Sequence, residues 1–242
     1  MLKIENVVLP SPEQWEAVIR GMRNSYNSWS HSDSSISYIE DPETLETASY
    51  QHILGDNDLG LMNALSSASG SHRKYLRMIP VFLDITAPLY WWKEFDTYKV
   101  GTVANSCSTM HTVANKEFTL DDFSVEYLKD IPSLDLGNGV FVDGLFKSHM
   151  DYLIGGLNFA RYMYNKTGER LYWDQIIQLL PTSYNQKRTV FLSYEVLKKI
   201  FEERHAHKLR EWHTLCDWIT TLPHSEIILP ESREVDHVAD MV

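Results

Sequence analysis

Apolar side chains recur every three or four positions in several stretches of the chain, and the residues that flank them mark where helices begin and end. Ser11-Pro12-Glu13 precedes Trp15, Val18, Ile19 and Met22: an N-cap, a proline at the first helical position, then an apolar face. This predicts a helix from about Pro12 to Arg23. A shorter pattern over Asp58 to Ser67 carries Leu59, Leu61, Met62 and Leu65, and the Ser/Ala/Gly run from Ser66 to Ser71 ends it. The longest pattern runs through Met150, Leu153, Ile154, Leu157, Ala160, Arg161 and Tyr164, with Gly168 supplying a left-handed stop. Further helices fit Leu171 to Leu180 before Pro181, Ser193 through Phe201, and Leu209 through Ile219.

Strand signals are fewer. Met1 to Val8 reads as a first strand. Between Tyr75 and Trp92 the chain is apolar, β-branched and aromatic in short runs, which suits a strand leading into a helix. Asn24 to Glu46 is rich in Ser, Asn and Asp and reads as an exposed loop. From His224 to Val242 periodicity disappears, and five acidic residues stand against one arginine, the pattern of a solvated, flexible tail. The sum is an α/β (α+β) protein with a central sheet and long helices. One domain over residues 1–224 and an acidic tail over 225–242 are expected.

Composition narrows the setting. A chain of 242 residues with 43% hydrophobic and 12% aromatic content buries a sizeable core. Its apolar runs fall far short of the roughly 20 residues that span a bilayer, so no membrane association is expected. Two cysteines and no secretory-type N-terminus fit a cytoplasmic location. A formal charge of -11 disfavours nucleic acid, whose phosphates demand a broad basic surface, while a small anion needs only a few local cations.

Three short segments carry candidate chemistry. Tyr98-Lys99-Val100 is followed after seven residues by Ser108-Thr109-Met110-His111, Leu180-Pro181 precedes a stretch from Ser193 to Arg204, and His72 stands sixteen residues before Pro88 of Ala87-Pro88. In this order they resemble the flavin-dependent thymidylate synthase (ThyX) family. Its signature is Arg-His-Arg, seven residues, then Ser-x-Arg-Tyr; its later segment runs from a Leu-Pro turn into a helix ending in arginine. The resemblance is strongest over residues 70–220.

What it implies is a homotetramer with sites between subunits, binding deoxyuridine monophosphate (dUMP) as substrate and FAD as cofactor. NADPH and methylenetetrahydrofolate would complete the methylation of dUMP to dTMP. By the same resemblance Ser108 and Arg204 are the catalytic candidates, Asn105, Ser108, Arg204 and Lys99 would contact the nucleotide, and His72, Tyr98 and Lys99 the flavin; no metal is implied. The residue types suit these roles, since an arginine fork matches phosphate or carbonyl oxygens and serine gives one directional hydrogen bond.

The chain also departs from the pattern. Tyr98-Lys99-Val100 replaces the basic triplet, Ser106 the motif's glutamate, Met110 and His111 its arginine and tyrosine, Ile177 an arginine, and Ser193 and Glu195 an asparagine and an arginine. Arg73, Lys74, Arg77, Lys208 and Arg210 lie near the matched segments as substitute cations. Plainer roles compete: capping for Ser108 and Asn105, a surface ion pair for Arg204, a buried inert thiol for Cys107, core packing for Trp91 and Trp92, and no metal at His205 and His207. Three functions follow: an active enzyme, a non-catalytic nucleotide-binding or nucleotide-sequestering protein, and a structural or interaction protein.

Overall fold

A computed structural model describes residues 2–40, 47–68, 70–129, 134–135, 137–139, 141–142 and 145–229. In chain order its elements are β1 (Lys3–Val8), α1 (Pro12–Arg23), β2 (Ser35–Glu40), β3 (Thr47–Ile53), α2 (Asp56–Ser67), β4 (Pro80–Pro88), α3 (Leu89–Phe95), β5 (Val103–Ser106) and α4 (Thr109–Thr112). They continue with β6 (Leu134–Asp135), β7 (Phe141–Val142), α5 (Leu145–Thr167), α6 (Arg170–Leu179), β8 (Asn185–Ser193), α7 (Tyr194–Arg204) and α8 (Arg210–Ile219). The mixed helix and sheet class expected from the sequence is what forms. A four-stranded sheet has the order β1-β4-β8-β5, and β2-β3 and β6-β7 are separate two-stranded pairs.

Contacts divide the chain into two compact units. The first comprises Met1–Lys3, Ile85–Thr97 and Asn105–Arg188; the second comprises Ile4–Asp84, Tyr98–Ala104 and Thr189–Val242. The strands of the four-stranded sheet therefore contribute residues to both.

In the second unit, α1 starts on a reciprocal capping box. Ser11 Oγ accepts from Gln14 N at 3.3 Å while Gln14 Oε1 accepts from Ser11 N at 2.8 Å, satisfying donors that the first helical turn otherwise leaves unpaired. The face so presented buries Trp15, Val18, Ile19 and Met22, each worth roughly 1.5–3 kcal/mol of transfer free energy. Helix α2 buries Leu61, Met62, Ala64 and Leu65, and Tyr75 closes over it by donating from its hydroxyl to Met62 O at 2.6 Å. Helices α7 and α8 bury Leu197, Ile200, Trp212, Leu215 and Ile219.

Two segments differ from the sequence reading. The stretch read as a loop forms two 3-10 turns, Asn24–Tyr26 and Trp29–His31, and then β2, which pairs antiparallel with β3 so that Tyr38 faces Tyr50. Residues 41–46 of that stretch lie outside the described residues. The tail does not begin at residue 225: Ser225–Ile227 is a 3-10 turn, Ile227 and Ile228 are buried, and Ile227 O accepts from Ser66 Oγ at 2.6 Å. Two isoleucines among the acidic residues are enough to hold it. Residues 230–242 lie outside the described residues.

In the first unit the core is Val113, Ala114, Phe118, Phe123, Met150, Leu157, Ala160 and Ile176. Helices α5 and α6 pack on each other across a turn at Gly168, whose φ of +71° is the left-handed stop expected there. Asn158 of α5 clamps the chain before it, accepting from Phe118 N at 2.8 Å and donating to Phe118 O at 2.9 Å. Trp91, Trp92 and Phe95 pack together in α3, and both tryptophans are buried. Among the described residues no helix is long and apolar enough to cross a membrane.

Candidate functional site

Strand β5 ends the sheet order, and the chain leaves it through Cys107, whose N donates to Lys187 O of β8 at 2.9 Å. Gln186 of the same strand donates from Nε2 to Cys107 O and to Thr109 Oγ1, each at 3.1 Å. These bonds hold the segment from Asn105 to Thr112 against β8. Asn105 is exposed on β5. Ser108 is the N-cap of α4: its Oγ accepts from His111 N at 3.3 Å, and its carbonyl accepts from Thr112 Oγ1 at 2.7 Å. The hydroxyl proton is not used by that cap and remains available to donate.

Next to this segment the first unit holds a cavity of about 470 Å³, lined among others by Cys107, Thr109, Lys116, Asp122, Tyr184 and Lys187. Cys107 is exposed there, which corrects the reading of it as a buried thiol. Its main chain is tied to β8, so its side chain is the part left facing outward. Lys116 pairs with Asp122, which raises the ammonium's pKa, and burial raises that of the Tyr184 phenol. Lys116, Tyr184 and Lys187 were not singled out from the sequence. Lys116 follows the recognised motif by five residues, whereas Tyr184 and Lys187 lie more than 70 residues beyond it and only the fold brings them to it.

The second unit assembles Tyr98, Glu203, Arg204 and Trp212. Tyr98 Oη donates to Glu203 Oε2 at 2.8 Å and accepts from Arg204 Nε at 2.9 Å, and the Arg204 guanidinium lies 4.9 Å from the centre of the Trp212 ring. Burial pushes the Tyr98 phenol up to about 12, the Arg204 bond opposing and the Glu203 bond reinforcing the shift. Tyr98 is 5% exposed. His72 lies exposed on a 3-10 segment, His72–Met78, and lines a cavity of about 320 Å³ with Lys74 and Met78. Lys99 is exposed. Neither His72 nor Lys99 enters the hydrogen bonds that join Tyr98, Glu203 and Arg204.

Two of the substitute cations, Arg77 and Arg73, are held by other groups of the protein. Arg77 grips Glu195 with two bonds, Nε to Oε2 at 2.5 Å and Nη2 to Oε1 at 3.0 Å, so the acidic replacement at 195 is neutralised inside the protein. Arg73 donates to Ala68 O at 2.9 Å. Trp91 and Trp92 belong to the core, with Trp92 Nε1 donating to Gln186 O at 2.9 Å and Arg188 stacked 4.2 Å from its ring centre. His205 Nδ1 lies 2.9 Å from Phe201 O, and His207 Nδ1 accepts from Leu209 N at 3.2 Å. Among the described residues no group of three or more His, Cys, Asp or Glu side chains is placed to hold a metal ion.

No protein-family model matches the chain, and no curated protein matches it by sequence. Solved structures do. The flavin-dependent thymidylate synthase ThyX from Helicobacter pylori complexed with FAD and dUMP superposes with a TM-score of 0.56 at 14% identity, over 94% of this chain and 97% of that one. A second structure of ThyX from the same organism, also with FAD and dUMP, gives a TM-score of 0.57 at 14% identity, over 94% of this chain and 96% of that one. The chain therefore has a ThyX-like fold.

Proposed function

We propose that this protein binds a pyrimidine nucleotide such as dUMP in the cavity beside Asn105–Thr112, without the flavin chemistry of the enzymes whose fold it shares. The observation that carries the reading is the meeting of that cavity with the one segment that resembles the family signature. Cys107, Thr109 and Thr112 of the segment line it, and its volume lies within the roughly 300–1,000 Å³ of small-molecule sites. Lys187 offers a cation to a phosphate, the Asn185 amide nitrogen a donor to a base edge, and Tyr184 and Phe118 aromatic surface. Asn105 and the donor hydroxyl of Ser108 stand alongside. Fold likeness to structures that hold dUMP supports the choice of nucleotide.

Of the three positions the resemblance assigns to the flavin, His72 and Lys99 are exposed while Tyr98 does not fit a contact with it. The Tyr98 hydroxyl is buried and spent on Glu203 and Arg204, and Arg77 is taken up by Glu195. Arg204 itself braces Tyr98, which favours a structural over a catalytic role. The nucleotide-binding, non-catalytic reading is thereby preferred to methylation of dUMP with FAD, NADPH and methylenetetrahydrofolate. A homotetramer with sites between subunits is part of the same proposal and is checked by light scattering.

Calorimetric titration with dUMP and, separately, with FAD tests it. Saturable heat with dUMP, weakened about tenfold or more by Lys187→Met as expected for loss of a charge-assisted phosphate contact, and none with FAD is the expected result. No dUMP binding overturns the reading; tight FAD binding with dUMP restores the enzyme.

A further inference from the structure

We infer that Asn138 is a self-modifying site: its side-chain amide closes onto the backbone nitrogen of Gly139, expels ammonia, and leaves aspartate or isoaspartate in the turn between β6 and β7. The reaction is internal to the chain, with solvent water as its co-reactant.

The sequence sets the reacting atoms side by side. Asn138 and Gly139 form the one Asn-Gly pair in the chain. Attack of Gly139 N on Asn138 Cγ closes a succinimide ring. The Cγ–Nδ2 bond breaks, and Nδ2 leaves as ammonia with the proton lost from Gly139 N. Water then adds to either ring carbonyl. Opening on one side restores the main chain as aspartate; opening on the other carries the main chain through Cβ as isoaspartate. Nothing is oxidised or reduced. A glycine in the following position favours the attack, because a side chain there would crowd the nitrogen and narrow the backbone angles it has to sweep.

The structure leaves this pair open. Gly137, Asn138 and Gly139 are exposed, and all three hold positive φ, +89°, +53° and +77°. Asparagine is among the residues with a side chain that visit this left-handed region most readily, so the pair suits the turn as well as the chemistry. A Cβ added at Gly137 or Gly139 would meet nothing within 4 Å, and the backbone on both sides of Asn138 has room to swing. Asp135 Oδ1 accepts from Gly137 N at 2.7 Å, which fixes the start of the turn and leaves the reacting bond alone. Among the described residues no hydrogen bond holds the Asn138 amide or Gly139 N. Asn158 and Asn185, by contrast, have their amides bound to Phe118 and Ser124 and precede bulky residues. The product puts a carboxylate where the chain had a neutral amide, and the inference does not rest on the nucleotide reading.

The full chain is incubated at mildly alkaline pH, where more of the Gly139 N–H ionises. Samples are followed by charge-variant chromatography, by peptide mass, and by methyl transfer from an isoaspartyl methyltransferase. A second sample unfolded in urea gives the rate without the fold. The expected result is one leading product at Asn138, formed in the folded protein within about tenfold of the unfolded rate, as a turn that opens at little cost allows. Gly139→Ala should slow it at least about tenfold, and Asn138→Gln should remove it; melting temperatures verify that both variants fold. A folded protein that stays unmodified while the unfolded chain reacts, a faster reaction at another asparagine, or an unchanged rate in Gly139→Ala overturns the inference.

Discussion

Arg23 and Asp58 show how much rests on pairs that no local pattern announces. They are 35 residues apart, both side chains are fully buried, and each is the other's counter-ion. Burial would raise the Asp58 pKa, but bonds from Ser34, Ser32 and Arg23 outweigh it and hold the group below its ordinary value. Asp58→Ala leaves a buried guanidinium uncompensated and should cost about 3–5 kcal/mol, read from urea denaturation. The Asp58 contribution is present above the carboxylate's unfolded pKa and fades as pH falls through its lower folded value. His52 and His224 act in a higher window. Burial lowers both, against the raising influence of Glu16 on His52 and of Glu226 on His224. Their folded pKa values lie under the unfolded value of about 6.5. As pH drops below that value the unfolded chain takes up protons that the native chain refuses, so stability should decline. A His52→Gln variant should show a shallower decline in melting temperature between neutral and mildly acid pH. Neither the pair nor the histidines were legible beforehand, because an isolated Arg or His in a helix or a polar stretch reads as solvated.

Elements were the most legible scale, and the reason is visible in particular residues. Ser11, Pro12 and Gln14 specify the start of α1, Gly168 the end of α5, and Pro181 the end of α6, each through its own backbone chemistry. The β2-β3 pair escaped, as did strands β5 and β8. The alternation in the pair is short and interrupted by serines, so Tyr38 and Tyr50 meet only through pairing across the hairpin. Two glycines give a contrast at this scale. Gly168 has φ +71° and open space where a Cβ would stand, so Gly168→Ala should cost only about 1 kcal/mol. Gly101 has φ +80° and would bring a Cβ to 3.2 Å from Val196 Cγ2, so Gly101→Ala adds crowding to the same strain. Its melting temperature should fall further than that of the first variant.

At the scale of the whole molecule the two units are interleaved in sequence, with the chain crossing from one to the other inside β4 and β8. A fragment of residues 85–188 lacks β1 and halves both of those strands. It should show no cooperative thermal transition, although it contains a complete apolar cluster around Leu157 and Ile176. The candidate site was legible in part. Motif spacing led to the segment from Asn105 to Ser108, which does border a cavity, but Lys187 and Tyr184 came to notice only once β8 was seen to run beside it. Arg204 and Tyr98 were picked out as ligand contacts, and the fold joins them to each other by a hydrogen bond that the spacing did not announce. A spacing match reports where backbone positions fall; it does not report what neighbouring side chains have claimed.

The two thiols differ in a way that makes the cavity beside Asn105–Thr112 chemically addressable. Cys216 is buried, with its pKa pushed up to about 11, whereas Cys107 is exposed on the cavity wall. A maleimide dye therefore has one ready attachment point in the native protein, without mutagenesis, and it sits where an occupant would shield it. The rate of labelling becomes a footprint of occupancy, usable on a mixture of unidentified metabolites as well as on a pure compound.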